Sequence, residues 1–376
     1  MNNNIIKSEN YNLKEVGSVY IHIPFCNTIC TYCDFCKFLK NDEWVYKYLE
    51  ILEQEIKTRY LGEIIHTIYI GGGTPSCLDV EQLNKLFDII KIFKKSQNIE
   101  ITFECNIENI TEEKLKLLHF NGVNRLSIGI QTFNEKYLEF LNRNHNKQMI
   151  INNISIAKKI GFNNINIDLI YALKDQTIRD LEIDLDEFLK LDINHISTYS
   201  LIIEPHTNLY INNEISIDED LDYEMYNTII NKLSMNGYKH YEVSNFAKEG
   251  YESKHNLTYW NNLEYYGFGI GASGYINNVR YDNTRSINQY FKGNYIRDSH
   301  KLDKKEMLEN EFILGLRKID GINKQDFYNK YGIDIKNINV VRKLLNEKKL
   351  LENQNNIYVN PKYIYILNDI LIDFID

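Results

Sequence analysis

Ile23-Pro24-Phe25-Cys26-Asn27-Thr28-Ile29-Cys30-Thr31-Tyr32-Cys33 sets three cysteines in a C-x3-C-x2-C spacing, directly after the apolar run Val19-Tyr20-Ile21-His22-Ile23. That run predicts a strand, so the cysteines stand on a loop at a strand end. Three thiolates on one short loop can each take one iron of a [4Fe–4S] cube, whose usual complement is four cysteines. One iron is then left open for an outside ligand. Tyr32 places an aromatic ring immediately before the third cysteine. Cys36 follows closely, and C-x3-C-x2-C-x2-C can also be read as a closed structural zinc site. The pairs of such a site usually come from separate knuckles, whereas all four thiols here crowd one loop.

Bulk properties narrow the remaining chemistry. The chain has 376 residues and six cysteines, and Met1-Asn2-Asn3-Asn4-Ile5-Ile6-Lys7 leads into polar sequence with no apolar leader core. Reduced cysteines in a cytoplasmic protein are expected, rather than a disulfide framework. Cys77 and Cys105 read as small buried hydrophobes. A net charge of −9 lacks the basic footprint of a nucleic-acid binder. No uninterrupted apolar stretch approaches the roughly 20 residues that a membrane span needs, and the closing run 363–372 reads as a packed terminal helix. Only four prolines occur. Pro24, Pro75 and Pro205 fall at predicted strand ends, where a fixed φ sets the backbone path.

Apolar, β-branched runs alternate with helical patterns, which predicts βα units and a parallel sheet. The expected strands are 18–23, 67–70, 100–103, 124–130, 164–170 and 195–202. The helices between them are 43–59, 80–93, 111–120, 135–141, 147–160 and 178–189. Thr111 begins its helix as an N-cap with acids in the first turn, and Gly122 and Gly161 sit where C-terminal caps fall. In parallel α/β barrels, reactive groups cluster at the C-terminal strand ends. Here those ends carry, in order, the cysteine loop, Gly71-Gly72-Gly73-Thr74-Pro75, Glu104, Gln131, Asp168 and Glu204-Pro205. One ring of polar groups over one barrel mouth accounts for all of them.

The cysteine spacing, Tyr32 and the glycine run together resemble the radical S-adenosylmethionine (SAM) superfamily. The resemblance implies an α/β fold: a partial (β/α)6 barrel, with a [4Fe–4S] cluster held by Cys26, Cys30 and Cys33. It implies that the open iron chelates the amino and carboxylate groups of SAM, and that an electron from the cluster cleaves SAM to methionine and a 5′-deoxyadenosyl radical. Carried over residue by residue, Gly71, Gly72, Gly73 and Thr74 match the segment that binds the SAM amino group. Glu104 and Asp168 would reach the ribose or amino group, with Gln131 nearby. Arg143 would face the carboxylate, Tyr20 would touch SAM ahead of the cluster, and Tyr32 would stand beside it. His22 has no assigned chemistry and reads as a satisfied core histidine.

Segments 20–26, 70–76, 122–131 and 166–171 narrow the resemblance to the oxygen-independent coproporphyrinogen III oxidase family. One branch decarboxylates two propionates to vinyl groups; the other, the HemW-like heme chaperones, binds heme and delivers it to apoproteins. Three features favour the chaperone branch. Phe35 stands where the dehydrogenases continue C-x-C, the cluster is reached almost at once, and His255-Asn256-Leu257-Thr258-Tyr259-Trp260 matches H-N-x-x-Y-W. Heme would be met by His255, Tyr259 and Trp260; alternatively, His255 and Asn256 tie a loop while the aromatics fill core. The implied partners are heme or a porphyrin, apo-hemoproteins, SAM, and an electron donor such as flavodoxin or ferredoxin. Gly269–Gly274 fits G-x-G-x-x-G but runs into extended sequence, so a dinucleotide fold is not expected. The expected domains are a barrel over 1–210, an extension over 211–302, and a small α+β, winged-helix-like domain over 303–376 that serves as a lid or docking element.

Overall fold

The computed structural model describes residues 16–375, so the stretch read above for a leader lies outside the described residues. Six parallel strands form its centre: β1 (Ser18–Ile23), β2 (Ile64–Gly72), β3 (Lys94–Asn106), β4 (Arg125–Gln131), β5 (Ile165–Tyr171) and β6 (His195–Ser200). They pair in chain order, each parallel to the next. Between them run α1 (Asp42–Arg59), α2 (Val80–Ile90), α3 (Glu112–Phe120), α4 (Glu135–Phe140), α5 (Lys147–Ile160) and α6 (Ile178–Lys190). This is the expected partial (β/α)6 barrel. The sequence underestimates β2, which starts at Ile64-Ile65, and β3, whose N-terminal half is polar and largely exposed. It overruns β6, because Leu201 and Ile203 leave the sheet to pack with Tyr32 of the cysteine loop.

Capping residues set the helix limits. Asp79 and Thr177 form capping boxes with Gln82 and Asp180, and Thr111 caps the Lys114 N–H of α3. Gly161 closes α5 in a left-handed conformation, φ +119°.

The strands between residues 239 and 301 extend the same sheet at both edges. After α7 (Glu219–Met235), β8 (Asn245–Ala247) adds antiparallel to β6, and β7 (Lys239–Glu242) pairs antiparallel with β8. Helix α8 (Lys254–Trp260) then leads to β9 (Tyr265–Phe268), which pairs parallel with β1 on its free side. Strands β10 (Ser273–Ile276), β11 (Val279–Asn283) and β12 (Ile296–Lys301) extend that edge antiparallel. The parallel strand β9 has no counterpart in the sequence reading, being four residues long with Gly267 in its middle. The G-x-G-x-x-G run is the turn between β9 and β10, with Gly269 and Gly271 at positive φ. Lys304–Gly315, Lys324–Tyr331 and Asn339–Asn346 are helices that pack with a three-stranded antiparallel sheet, a winged-helix arrangement. It is joined to the barrel through Ile319 N–H on Tyr241 C=O (3.1 Å) and Val243 N–H on Arg317 C=O (3.2 Å). Among the described residues, no helix is long and apolar enough to cross a membrane.

One face of each barrel strand is apolar and fully buried under the helices: Val19 and Ile21, Ile68 and Ile70, Ile101 and Phe103, Leu126 and Ile128, Ile165 and Ile167, Ile196. The alternate positions are polar and turn to the concave side. At the mouth, the chain after β1 crosses the end of β2 at close quarters. Gly73 N–H donates to Ile23 C=O (2.9 Å) and Thr74 N–H to Phe25 C=O (2.8 Å). A Cβ on Gly73 would stand 2.8–2.9 Å from the backbone of Ile23, Pro24 and Phe25. Replacing Gly73 by alanine is therefore expected to displace the cysteine loop and cost about 1–3 kcal/mol, read as a lower Tm together with lost iron. An unchanged Tm with full iron would show that the loop has room to yield.

Candidate cluster and ligand site

Donors from several elements hold the cysteine loop by its backbone carbonyls. Asn142 Nδ2 donates to Ile29 C=O (2.9 Å), Leu209 N–H to Thr31 C=O (3.1 Å), Lys37 Nζ to Cys33 C=O and Arg285 Nη2 to Asp34 C=O (2.7 Å). His22 Nε2–H donates to Cys36 C=O (2.7 Å), and its Nδ1 accepts from the Tyr20 hydroxyl (2.9 Å). Burial lowers the His22 pKa to about 4, so the ring is neutral and both nitrogens are used. His22 is thus the satisfied core histidine expected. Tyr20 serves it, and the Tyr20 hydroxyl points at His22.

The thiols are left free by this arrangement. Cys26, Cys30 and Cys33 all line one cavity of about 320 Å³. Burial pushes the Cys26 thiol up to about 11, so it stays protonated until a metal displaces the proton. Cys36 is turned elsewhere: its Sγ faces the Arg285 carbonyl (3.8 Å), and its Cβ lies against Gly271. Among the described residues, no three of His, Cys, Asp or Glu stand close enough to share one metal ion. The thiolates of a cube bind different irons and stand further apart than ligands of a single ion. Cys26, Cys30 and Cys33 thus face one cavity together, while Cys36 is turned away from it.

Most of the other residues anticipated for SAM line the same cavity: Tyr32, Gly72, Gly73, Thr74, Glu104, Gln131, Arg143 and Asp168. Glu104 accepts from the Tyr69 hydroxyl (2.7 Å) and from Gly72 N–H (2.9 Å). A Cβ on Gly71 would stand 2.6 Å from that carboxyl, so the bare strand end is what lets it approach. Burial raises the Glu104 pKa to about 7 and also raises that of Asp168, which accepts from Asn166 Nδ2 (2.8 Å). Gln131 reaches the cavity through a left-handed φ of +71° at a register shift between β4 and β5. Arg143 is buried, with Nη1 on Asn106 Oδ1 (3.0 Å) and 3.6 Å from Cys30 Sγ, and Nη2 on Gly129 C=O (2.8 Å). Its Nε has no partner. Its Nη2 also pairs with Glu108 (3.3 Å), and three unoxidised thiols, two half-buried acids and this guanidinium in one cavity fit a cluster and a charged organic ligand.

Two anticipated regions stand apart. Glu204 and Pro205 are exposed, and Ser200, Leu201 and Ile202 line the cavity in their place. His255 is buried, with Nδ1 on Thr67 Oγ1 (2.8 Å) and Nε2 on the Tyr259 hydroxyl (2.7 Å). Thr67 passes its proton to Ser18 (2.9 Å), which makes His255 Nδ1–H the donor and Nε2 the acceptor. Of the two roles open for this motif, the geometry supports the structural one. The His255 ring lies behind Tyr69 (centroids 5.1 Å apart), and Trp260 packs against Arg317. From the motif, Asn256 alone reaches the cavity.

Sequence reasoning missed Tyr69, Asn106, Arg125, Ser127, Asn166 and Ser197, all of which line the cavity. Counting back by twos from Gln131 and Asp168 finds Arg125, Ser127 and Asn166, and one step forward from Glu104 finds Asn106, since a strand returns to the same face at every second residue.

A barrel of parallel strands with three cysteines at the end of the first defines the radical SAM class. The sequence signature of the radical SAM superfamily matches residues 20–188, and that of the HemN C-terminal domain matches residues 302–362. The heme chaperone HemW of Lactococcus lactis is 39% identical over 96% of this chain and 98% of its own length. HemW of Bacillus subtilis is 43% identical over 89% and 93%. The crystal structure of Escherichia coli coproporphyrinogen III oxidase (HemN), a radical SAM enzyme, superposes with a TM-score of 0.84 at 22% identity, covering 98% of this chain and 92% of that one. The chain belongs to the HemW family of the radical SAM superfamily.

Changing Cys30 to alanine is expected to abolish assembly of a full cluster, while changing Cys36 to serine leaves iron and sulfide at the unsubstituted level. Iron and acid-labile sulfide analysis after anaerobic reconstitution checks both. Loss of iron in the Cys36 variant would make that thiol a ligand.

Proposed function

We propose that this protein is a cytoplasmic heme chaperone: it binds a [4Fe–4S] cluster through Cys26, Cys30 and Cys33, binds SAM in the adjoining cavity, and takes up heme for delivery to apoproteins. The near-full-length likeness to two proteins named heme chaperones, at 39% and 43% identity, carries this reading. The oxidase, at 22%, shares the fold alone. Locally, Phe35 supports it. The residue stands where the dehydrogenase branch has a cysteine, and its ring is 61% exposed at the cavity mouth. Ile202, 66% exposed on the same rim, adds apolar surface on which a porphyrin can lie.

When bound, the cluster supplies an electron and an open iron for the amino-acid end of SAM. The residues around it bind and orient. Arg143 sits beside Cys30 to meet a carboxylate. Glu104 and Asp168 present acceptors deeper in the cavity, and Tyr69 and Gly72 hold the Glu104 carboxyl in place. The aromatic ring of Tyr32 packs against the apolar cluster of Tyr137, Leu141, Leu201 and Leu209 and so walls the cavity on the cysteine side. The C-terminal winged-helix-like part is assigned a docking role for the protein partner.

The reading is tested by anaerobic incubation of the cluster-loaded protein with coproporphyrinogen III, SAM and a strong reductant, alongside a heme titration. Heme uptake with no vinyl product is expected. Formation of protoporphyrinogen IX would make the protein a dehydrogenase despite Phe35. In the same titration, replacing His255 by alanine is expected to leave heme affinity unchanged, because both ring nitrogens already serve Thr67 and Tyr259. Weakened heme binding with an intact cluster would return heme contact to the H-N-x-x-Y-W motif.

A further inference from the structure

Among the described residues, Arg125 is the largest of the essentially fully buried side chains, 2% exposed. Its Nε lacks any hydrogen-bond partner, and no carboxylate stands within ion-pair distance of it among the described residues. A buried, unpaired guanidinium is costly. Its position explains its presence. Arg125 pairs in register with Thr102, whose hydroxyl is likewise buried without a partner, and Thr102 lies one same-face step below Glu104. The guanidinium lines the floor of the cavity whose walls carry Glu104 and Asp168.

We infer that Arg125 is the counter-charge that keeps Glu104 and Asp168 ionised and so able to hold a cationic ligand above them. The inference rests on the SAM-binding reading and assigns a positioning residue to that site. SAM brings a sulfonium and an amino group. Arg143 also acts on Asp168, but without Arg125 the two half-buried acids would take up protons more readily and lose attraction for the ligand. A guanidinium in direct contact would instead neutralise them. Held beneath them, Arg125 stabilises both carboxylates and leaves their oxygens to Tyr69, Gly72, Asn166 and the ligand.

The groups that face Glu104 are Tyr20 on β1, Tyr69 on β2, Cys105 on its own strand, Arg125 on β4, Asp168 on β5, Tyr199 on β6 and Tyr259 on α8. Burial raises the phenols and pushes the thiol of Cys105 up to about 12, while it lowers His195 and takes His255 down to about 3. Across neutral pH, Glu104 is therefore the group that titrates in this floor, while burial raises Asp168 from its ordinary value. A carboxylate binds the cation and a carboxylic acid does not, so affinity rises as pH climbs through the pKa of Glu104, about 7.

The test is SAM affinity of the cluster-loaded protein against pH, with melting temperatures, for the unsubstituted protein, R125M, R125K and E104Q. R125M is expected to melt no lower, since it exchanges an unpaired buried charge for an apolar chain. Its affinity profile moves up by about one pH unit, which weakens binding about fivefold at pH 7 and up to about tenfold below it. R125K restores most of the original profile, and E104Q flattens it. A coincident R125M profile, an R125K that fails as R125M does, or a markedly lower melting temperature for R125M overturns the inference. Unsubstituted protein that binds no SAM at any pH defeats the SAM reading itself.

Discussion

The alternation of residues along the buried parallel strands is the constraint on which the molecule depends. Helices cover one side of β1 to β6, so every second residue is apolar; the other side encloses the cavity, so the residues between are Tyr69, Glu104, Arg125, Ser127, Asn166, Asp168 and Ser197. A slip of one residue in any strand would exchange the two sets. It would bury acids against helices and point leucines at the ligand. The register shift between β4 and β5, with Gln131 at φ +71°, is the local exception, and it brings a side chain from the strand end back over the cavity.

The cysteine loop obeys a related economy. Its stability comes from carbonyl groups, each met by a donor from a different part of the fold: His22 from β1, Asn142 from the segment after α4, Leu209 from the segment after β6, and Arg285 from beyond β11. The sulfurs add only long contacts to this, from Thr74 on Cys26 (3.4 Å) and Arg143 on Cys30 (3.6 Å), so the order of the loop rests mainly on its carbonyls. A cluster can then enter or leave without the surrounding backbone losing its hydrogen bonds, which is preorganisation in the ordinary sense.

Much of this was legible in the sequence, for physical reasons that can be named. The apolar faces of the barrel strands repeat every second residue and so announce strands, and Thr111 and Gly161 mark helix ends by their own chemistry. Cys26, Cys30 and Cys33 stood out by their spacing after an apolar run, and Glu104 and Asp168 by their place at or near the ends of expected strands. Arg125 did not, because it opens its strand and looks like a surface residue until the register places it inside. The fate of His255 was likewise hidden. Its partners Ser18, Thr67 and Tyr259 come from three elements, and no local pattern brings them together. Strand β9 was lost because four residues with a central glycine carry too little signal to compete with the helix before it.

That short strand has a consequence for how the protein comes into being. Strand β9 occupies the free side of β1, the first strand made, and the two are separated by most of the chain. During synthesis, the edge of β1 stays unpaired until the ribosome has delivered residues beyond 265. Pairings between such distant segments form late and slowly, and an open strand edge invites association with other chains in the meantime. The turn that follows β9 also supplies Gly269 and Gly271, which back the carbonyl of His22 and the side chain of Cys36. The cysteine loop therefore gains its full backing only once the chain has been made past Arg285, long after its own residues have left the ribosome.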